Sequence, residues 1–165
     1  MRCKVGQILD DRYTVLAIHN GEPSLVLADG QKIVFDSYNA VHLAKKFGPS
    51  FWTKIMACKE PFSAIHYATN IEKKPGELTR NGSLSLPWAA LTYAVEVDHG
   101  PHDATRLAAS KNPESSFLYM KTVDQGFHEV TFEGVEYDER WKQKYERFIE
   151  NLSSTNNKQT RRLKK

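Results

Sequence analysis

Short stretches of alternating apolar and polar residues fill the first forty or so positions, and a three- and four-residue apolar rhythm marks the end of the chain. Arg12–Ile18, Ser24–Ala28 and Gln31–Asp36 read as strands. They are joined by Asn20-Gly21 and Asp29-Gly30, residue pairs that adopt the left-handed backbone of tight hairpin turns. Cys3–Leu9 is a further strand candidate. Four strands this short within about 40 residues suggest a small barrel rather than an extended sheet.

The pattern then changes. Val41, Leu43, Ala44 and Phe47 place an apolar stripe on a helix over Tyr38–Lys46, stopped by Gly48-Pro49, with Ser50 able to cap a second helix, Phe51–Cys58. Trp52, Ile55 and Met56 are its candidate inward residues. Residues 59–87 are broken by Pro61, Pro75-Gly76, Asn81-Gly82 and Pro87. Only Phe62–Thr69 reads as regular there, and Glu72–Arg80 reads as an exposed loop. Ala90–Val97 reads as a strand and Ala104–Ala109 as a turn of helix. Ser116–Val123 and Phe127–Glu133 read as a hairpin across Asp124-Gln125-Gly126, with His128, Val130 and Phe132 on one face.

From Asp138 to Leu152, the residues Trp141, Tyr145, Phe148, Ile149 and Leu152 recur at helical spacing, with Asp138 as the N-cap. The expected fold is α+β. It has a small N-terminal β-barrel over residues 1–40, a helical linker over 41–60 and a mixed α/β C-terminal domain over 61–152 ending in the amphipathic helix. A flexible basic tail follows over 153–165.

Charge adds a direction to this picture. The net charge of +3 is unevenly spread: residues 1–80 hold eleven basic and eight acidic side chains, residues 81–157 seven and twelve, and residues 158–165 five and none. A polyanion would meet the first half and the tail and be repelled by the stretch between. No apolar run approaches the roughly 20 residues that span a bilayer. The opening Met-Arg-Cys-Lys-Val-Gly lacks a secretory apolar stretch, and Cys3 and Cys58 form no CxxC pair. A reducing, cytoplasmic location with no membrane partner is the expectation.

Candidate chemistry is sparse. Asp98-His99-Gly100-Pro101-His102-Asp103 gathers imidazoles and carboxylates that donate lone pairs to a divalent metal, so His99, His102 and Asp103 could serve a small metal-dependent hydrolase. Gly100-Pro101 separates the histidines by a turn, however, and both aspartates are ordinary turn and capping residues. Neither a GxSxG elbow nor a GxxxxGK[ST] loop occurs, which points away from an enzyme and from any cofactor.

Basic residues suit nucleic acid better, because lysine and arginine on one surface release the counterions condensed on a phosphate backbone. Candidate DNA contacts are Arg2, Lys4, Arg12 and Lys32 on the barrel, and Lys45, Lys46, Lys54 and Lys59 on the helical pair. Lys73 and Lys74 follow on the loop, and Lys158, Arg161, Arg162, Lys164 and Lys165 on the tail. Tyr38 and Trp52 read first as core residues and second as platforms for an exposed base. No helix offers the set of Arg and Asn that base readout needs, so binding independent of sequence is expected.

Val5–Leu9, Tyr13–Ile18, Leu25–Leu27 and Lys32–Phe35, with Gly6, Gly21 and Gly30, resemble an SH3-like barrel of the KOW/Tudor kind. The whole chain, basic and 18.9 kDa, resembles the MotB-type modulators of transcription in T-even bacteriophages. That resemblance implies non-specific binding of double-stranded DNA in a bacterial host cytoplasm, altered gene expression, and host nucleoid or transcription proteins as further partners. An alternative of a different class is a protein-interaction adaptor or host-enzyme inhibitor, with the Trp141–Leu152 helix as its contact face.

Overall fold

The computed structural model describes residues 7–9, 13–19, 22–27 and 30–163; for residues 16–19, 22 and 155–163 it describes the backbone alone. The chain divides into two compact units, Met1–Ser83 and Leu84–Lys165. Among the described residues it is 68% helical, with nine α-helices and one small sheet.

The first unit opens with β1 (Ile8–Leu9), β2 (Tyr13–His19), β3 (Glu22–Val26) and β4 (Lys32–Val34), an antiparallel meander in the order β1-β2-β3-β4. Leu9 pairs with Tyr13, Val15 with Leu25, and Leu25 with Ile33. The mixed α+β class is as expected, but the closed SH3-like barrel is not. No pairing joins β1 to β4 among the described residues, and edge strands of two and three residues offer too few ladder bonds to close a sheet.

Helices cover the apolar face instead. Leu9, Tyr13, Val15, Leu25, Leu27 and Phe35 share one core with Ala40, Leu43 and Ala44 of α1 (Ser37–Phe47), Met56 and Ala57 of α2 (Phe51–Ala57), and Tyr67. Asn20-Gly21, Asp29 and Cys3 lie outside the described residues. Gly30 has φ +81°, the left-handed backbone expected of it, and its N–H donates to the Leu27 carbonyl at 2.9 Å.

Caps fix the helices locally. Asp36 accepts from the Asn39 N–H at 2.7 Å to start α1, and Gly48 ends it at φ +91°. Ser50 and Thr53 exchange backbone-to-hydroxyl bonds of 3.2 and 3.0 Å to start α2. Glu60 starts α3 (Pro61–Tyr67) by accepting from the Phe62 and Ser63 N–H groups at 3.1 and 2.6 Å. This helix runs on as a π-helical turn, Ala68–Glu72, and stops at Lys73 in the left-handed conformation. The expected loop over 72–80 is helical at its end, in α4 (Glu77–Ser83).

The second unit contains α5 (Pro87–Tyr93), α6 (Asp103–Ala109), α7 (Pro113–Tyr119), α8 (Glu129–Glu136) and α9 (Glu139–Leu163). The strand expected over Ala90–Val97 is therefore α5 with a π-helical turn, Ala94–Asp98, and the expected hairpin is α7 with its turn, Met120–Asp124, followed by α8. His128 caps α8 through Nδ1 rather than sharing a strand face. The amphipathic C-terminal helix is present, capped by Asp138, but its backbone stays helical to Leu163. Trp141, Phe148 and Ile149 of α9 pack on Met120, Val135 and Tyr145.

A repeat of 26 residues underlies the helical part. Thr53, Thr79, Thr105 and Thr131 recur at that interval, as do Tyr67, Tyr93, Tyr119 and Tyr145, and Pro61, Pro87 and Pro113. The left-handed residues Lys73, His99 and Gln125 keep the same step. The structure explains the spacing. In the first unit the Tyr67 hydroxyl lies 3.1 Å from Thr53 Oγ1 and donates to the Ser50 carbonyl at 3.3 Å.

In the second unit Tyr119 meets Thr105 Oγ1 at 2.9 Å and the His102 backbone at 3.0 and 3.2 Å; Tyr145 meets Thr131 at 3.0 Å and the His128 backbone at 3.0 and 3.1 Å. Each buried phenol thus satisfies the backbone at the start of one helix from within another, a tie that leaves no polar atom stranded. Burial pushes the pKa of all three phenols up. A basic residue, Lys54, Arg80 or Arg106, follows three of these threonines, and Lys54 and Arg106 each pair with an acid at the end of a π-helical turn. Lys54 meets Glu72 at 2.6 Å in the first unit, and Arg106 meets Asp124 at 2.8 Å in the second.

Candidate functional site

Two hollows lie side by side on the first unit, sharing Tyr38 and His42 of α1. One, of about 310 Å³, is lined by Tyr38, Val41, His42 and Lys45 from α1 and by Ser63, His66 and Asn70 from α3 and its π-helical turn. The other, of about 270 Å³, runs from Leu27, Gln31 and Ile33 to Asn39, Leu43 and Lys46. Helical spacing creates the arrangement. Tyr38, His42 and Lys45 stand one turn apart on the side of α1 away from the buried Ala40, Leu43 and Ala44, and His66 and Asn70 stand one turn apart on the facing element.

No carboxylate lines either hollow among the described residues. The nearest acid on α1, Asp36, is held in its cap by Asn39. Lys45 and Lys46 are exposed, and Lys46 lies 4.9 Å from the Phe47 ring centroid. Asn70 donates to the His66 carbonyl and Thr69 Oγ1 at 3.2 and 3.1 Å, which fixes its amide. The trough therefore offers two ammonium groups, two imidazoles, a hydroxyl and one exposed ring. Such a set suits an anion with aromatic parts.

The other expected DNA contacts fare differently. Lys73 and Lys74 are exposed together on the turn after α3, Lys59 is exposed between α2 and α3, and Lys32 is exposed on β4. Lys54 is half-buried and committed to Glu72, so the fold takes it from any ligand. Arg161 and Arg162 belong to the backbone of α9, in the second unit. Arg2, Lys4, Arg12, Lys164 and Lys165 lie outside the described residues. Of the sequence candidates, the structure gathers Lys45 and Lys46 at the trough. Sequence reasoning missed His42, Ser63, His66 and Asn70; the signal was the one-turn spacing of polar groups on α1 and α3.

His99, His102 and Asp103 are engaged in the fold. His99 Nδ1 lies 3.1 Å from the Val95 carbonyl, His102 Nδ1 accepts from the Ala104 N–H at 3.2 Å, and Asp103 pairs with Arg106 at 2.7 Å. No group of three His, Cys, Asp or Glu residues placed to hold a metal occurs among the described residues. Cys58 is a free thiol whose pKa burial pushes up to about 11, partly countered by Lys54, so little of it is the nucleophilic thiolate near neutral pH. No described helix is long and apolar enough to cross a membrane.

No protein-family model, curated protein or solved structure matches the chain.

Proposed function

We propose that the first unit binds nucleic acid through its phosphate backbone, without sequence preference and without catalysis, and that duplex DNA is among its ligands. The observation that carries this reading is the trough, where Lys45, Lys46, His42 and His66 line two hollows that share an exposed tyrosine, and no carboxylate is among their described lining residues. The resemblance to MotB-type phage modulators agrees on the class of partner, and on that reading the protein modulates gene expression in a bacterial host cytoplasm.

The test is charge reversal. Lys45→Glu with Lys46→Glu should weaken binding of a random-sequence duplex and flatten the dependence of log K on log salt by roughly two, one per lost phosphate contact. A thermal melt of the same variant separates lost binding from a lost fold. Unaltered affinity and slope would remove the trough from binding.

The adaptor reading draws on the second unit, where Leu107 and Phe127 are 60% and 61% exposed. A gel shift that is absent at low salt would favour it.

A further inference from the structure

We infer that the trough takes an unpaired strand of nucleic acid, with a base stacked on Tyr38 and its flanking phosphates held by Lys45 and Lys46. This rests on the nucleic-acid reading above and narrows it to a conformation of the ligand.

Tyr38 is 79% exposed, the second most exposed of the large hydrophobic side chains described. It makes no hydrogen bond, ion pair or ring contact among the described residues, whereas Trp52, the other candidate platform, packs against the core and meets Phe51 edge-on at 6.2 Å. Tyr38 lines both hollows. A purely phosphate-binding face has no use for this ring. Phosphates need charge, which Lys45 and Lys46 supply, and a duplex keeps its bases stacked on one another and away from a surface tyrosine.

An unpaired strand presents the π-face of each base next to its phosphate, the juxtaposition that a ring set between cations and imidazoles fits. Stacking needs no particular base edge, and the absence of a base-reading helix is consistent with that. Ribose and deoxyribose strands share this chemistry and are compared directly in the test.

The experiment is fluorescence anisotropy of the full chain with labelled oligo-dU, oligo-U and a duplex of equal length, at one salt concentration. Both single strands should bind more tightly than the duplex. Tyr38→Ala should weaken single-strand binding about five- to 150-fold, the range for losing one base–aromatic stack, and Tyr38→Phe should restore it. Duplex binding should change less than about twofold. Circular dichroism should show both variants folded, since the ring contributes nothing to the core.

Equal loss on duplex and single strands, or no loss on either, would overturn stacking while leaving the phosphate reading to the lysine variants. Binding of none of the three ligands at low salt would overturn both. A clear preference between oligo-dU and oligo-U, abolished by Tyr38→Ala, would support stacking and assign the sugar.

Discussion

Replacing Arg106 with methionine should lower the unfolding free energy by about 3–5 kcal/mol, the range for removing one partner of a buried ion pair. Arg106 and Asp124 side chains are 9% and 6% exposed, and the guanidinium reaches both carboxylate oxygens through Nε at 3.1 and 3.2 Å and one through Nη2 at 2.8 Å. Hydrogen bonding to Asp124 holds the Arg106 pKa above its ordinary value. Without the guanidinium, Asp124 is left buried and uncompensated.

The exposed Asp103 contact contributes little beside this. Urea unfolding followed by circular dichroism would show the loss as a lower midpoint. Arg106→Met combined with Asp124→Leu should recover most of it, because no lone charge then remains inside. A loss below about 1 kcal/mol for the single change would mean that the pair is not the tie described. Lys54–Glu72, its counterpart in the first unit, is 27% and 16% exposed, so Lys54→Met should cost less.

Gly134→Ala should also destabilise the second unit, by about 2 kcal/mol or more, although alanine is the better helix former by about 1 kcal/mol. A Cβ at Gly134 would collide with Ser116 Oγ and lie 2.5 Å from the Ser110 carbonyl. The carbonyl belongs to backbone that packing holds in place, and Ser116 Oγ is itself bonded to the Thr131 carbonyl at 2.7 Å, so neither can yield cheaply. Gly100 provides the control. Nothing lies within 4 Å of a Cβ there, and Gly100→Ala should leave stability within about 0.5 kcal/mol. A neutral or stabilising Gly134→Ala would show that α7 and α8 are less closely packed than these distances require.

Much of the first unit was legible in the sequence. The Gly30 turn, α1 with its Gly48 stop and the Ser50 cap of α2 all depend on local chemistry that a short window contains. The same holds for α9, whose apolar stripe is long enough to establish its period. The barrel was misread because alternation predicts strands but not whether their edges meet.

In the second unit, α5 and α7 are seven residues long, too short for a 3.6-residue period to separate from an apolar strand. Val, Tyr, Phe and Thr there suggested strands, and Gly126 suggested a hairpin, when the left-handed residue is Gln125. What fixes these helices is tertiary: a tyrosine from one repeat ties down the start of another helix. The legible trace of that tie was the 26-residue recurrence of Thr, Tyr and Pro, which only a comparison of the chain with itself reveals. The trough was half legible. Its lysines stood out by charge, whereas His42, His66 and Asn70 acquire meaning only once α1 and α3 lie together.

Hydrogen exchange of the full chain with and without a bound oligonucleotide locates the ligand without relying on any substitution. Slowed exchange at residues 37–46 and 61–72, with the second unit unchanged, is the expected result. Protection confined to residues 84–163, or none with single-stranded or duplex ligands at low salt, would contradict a nucleic-acid site between α1 and α3.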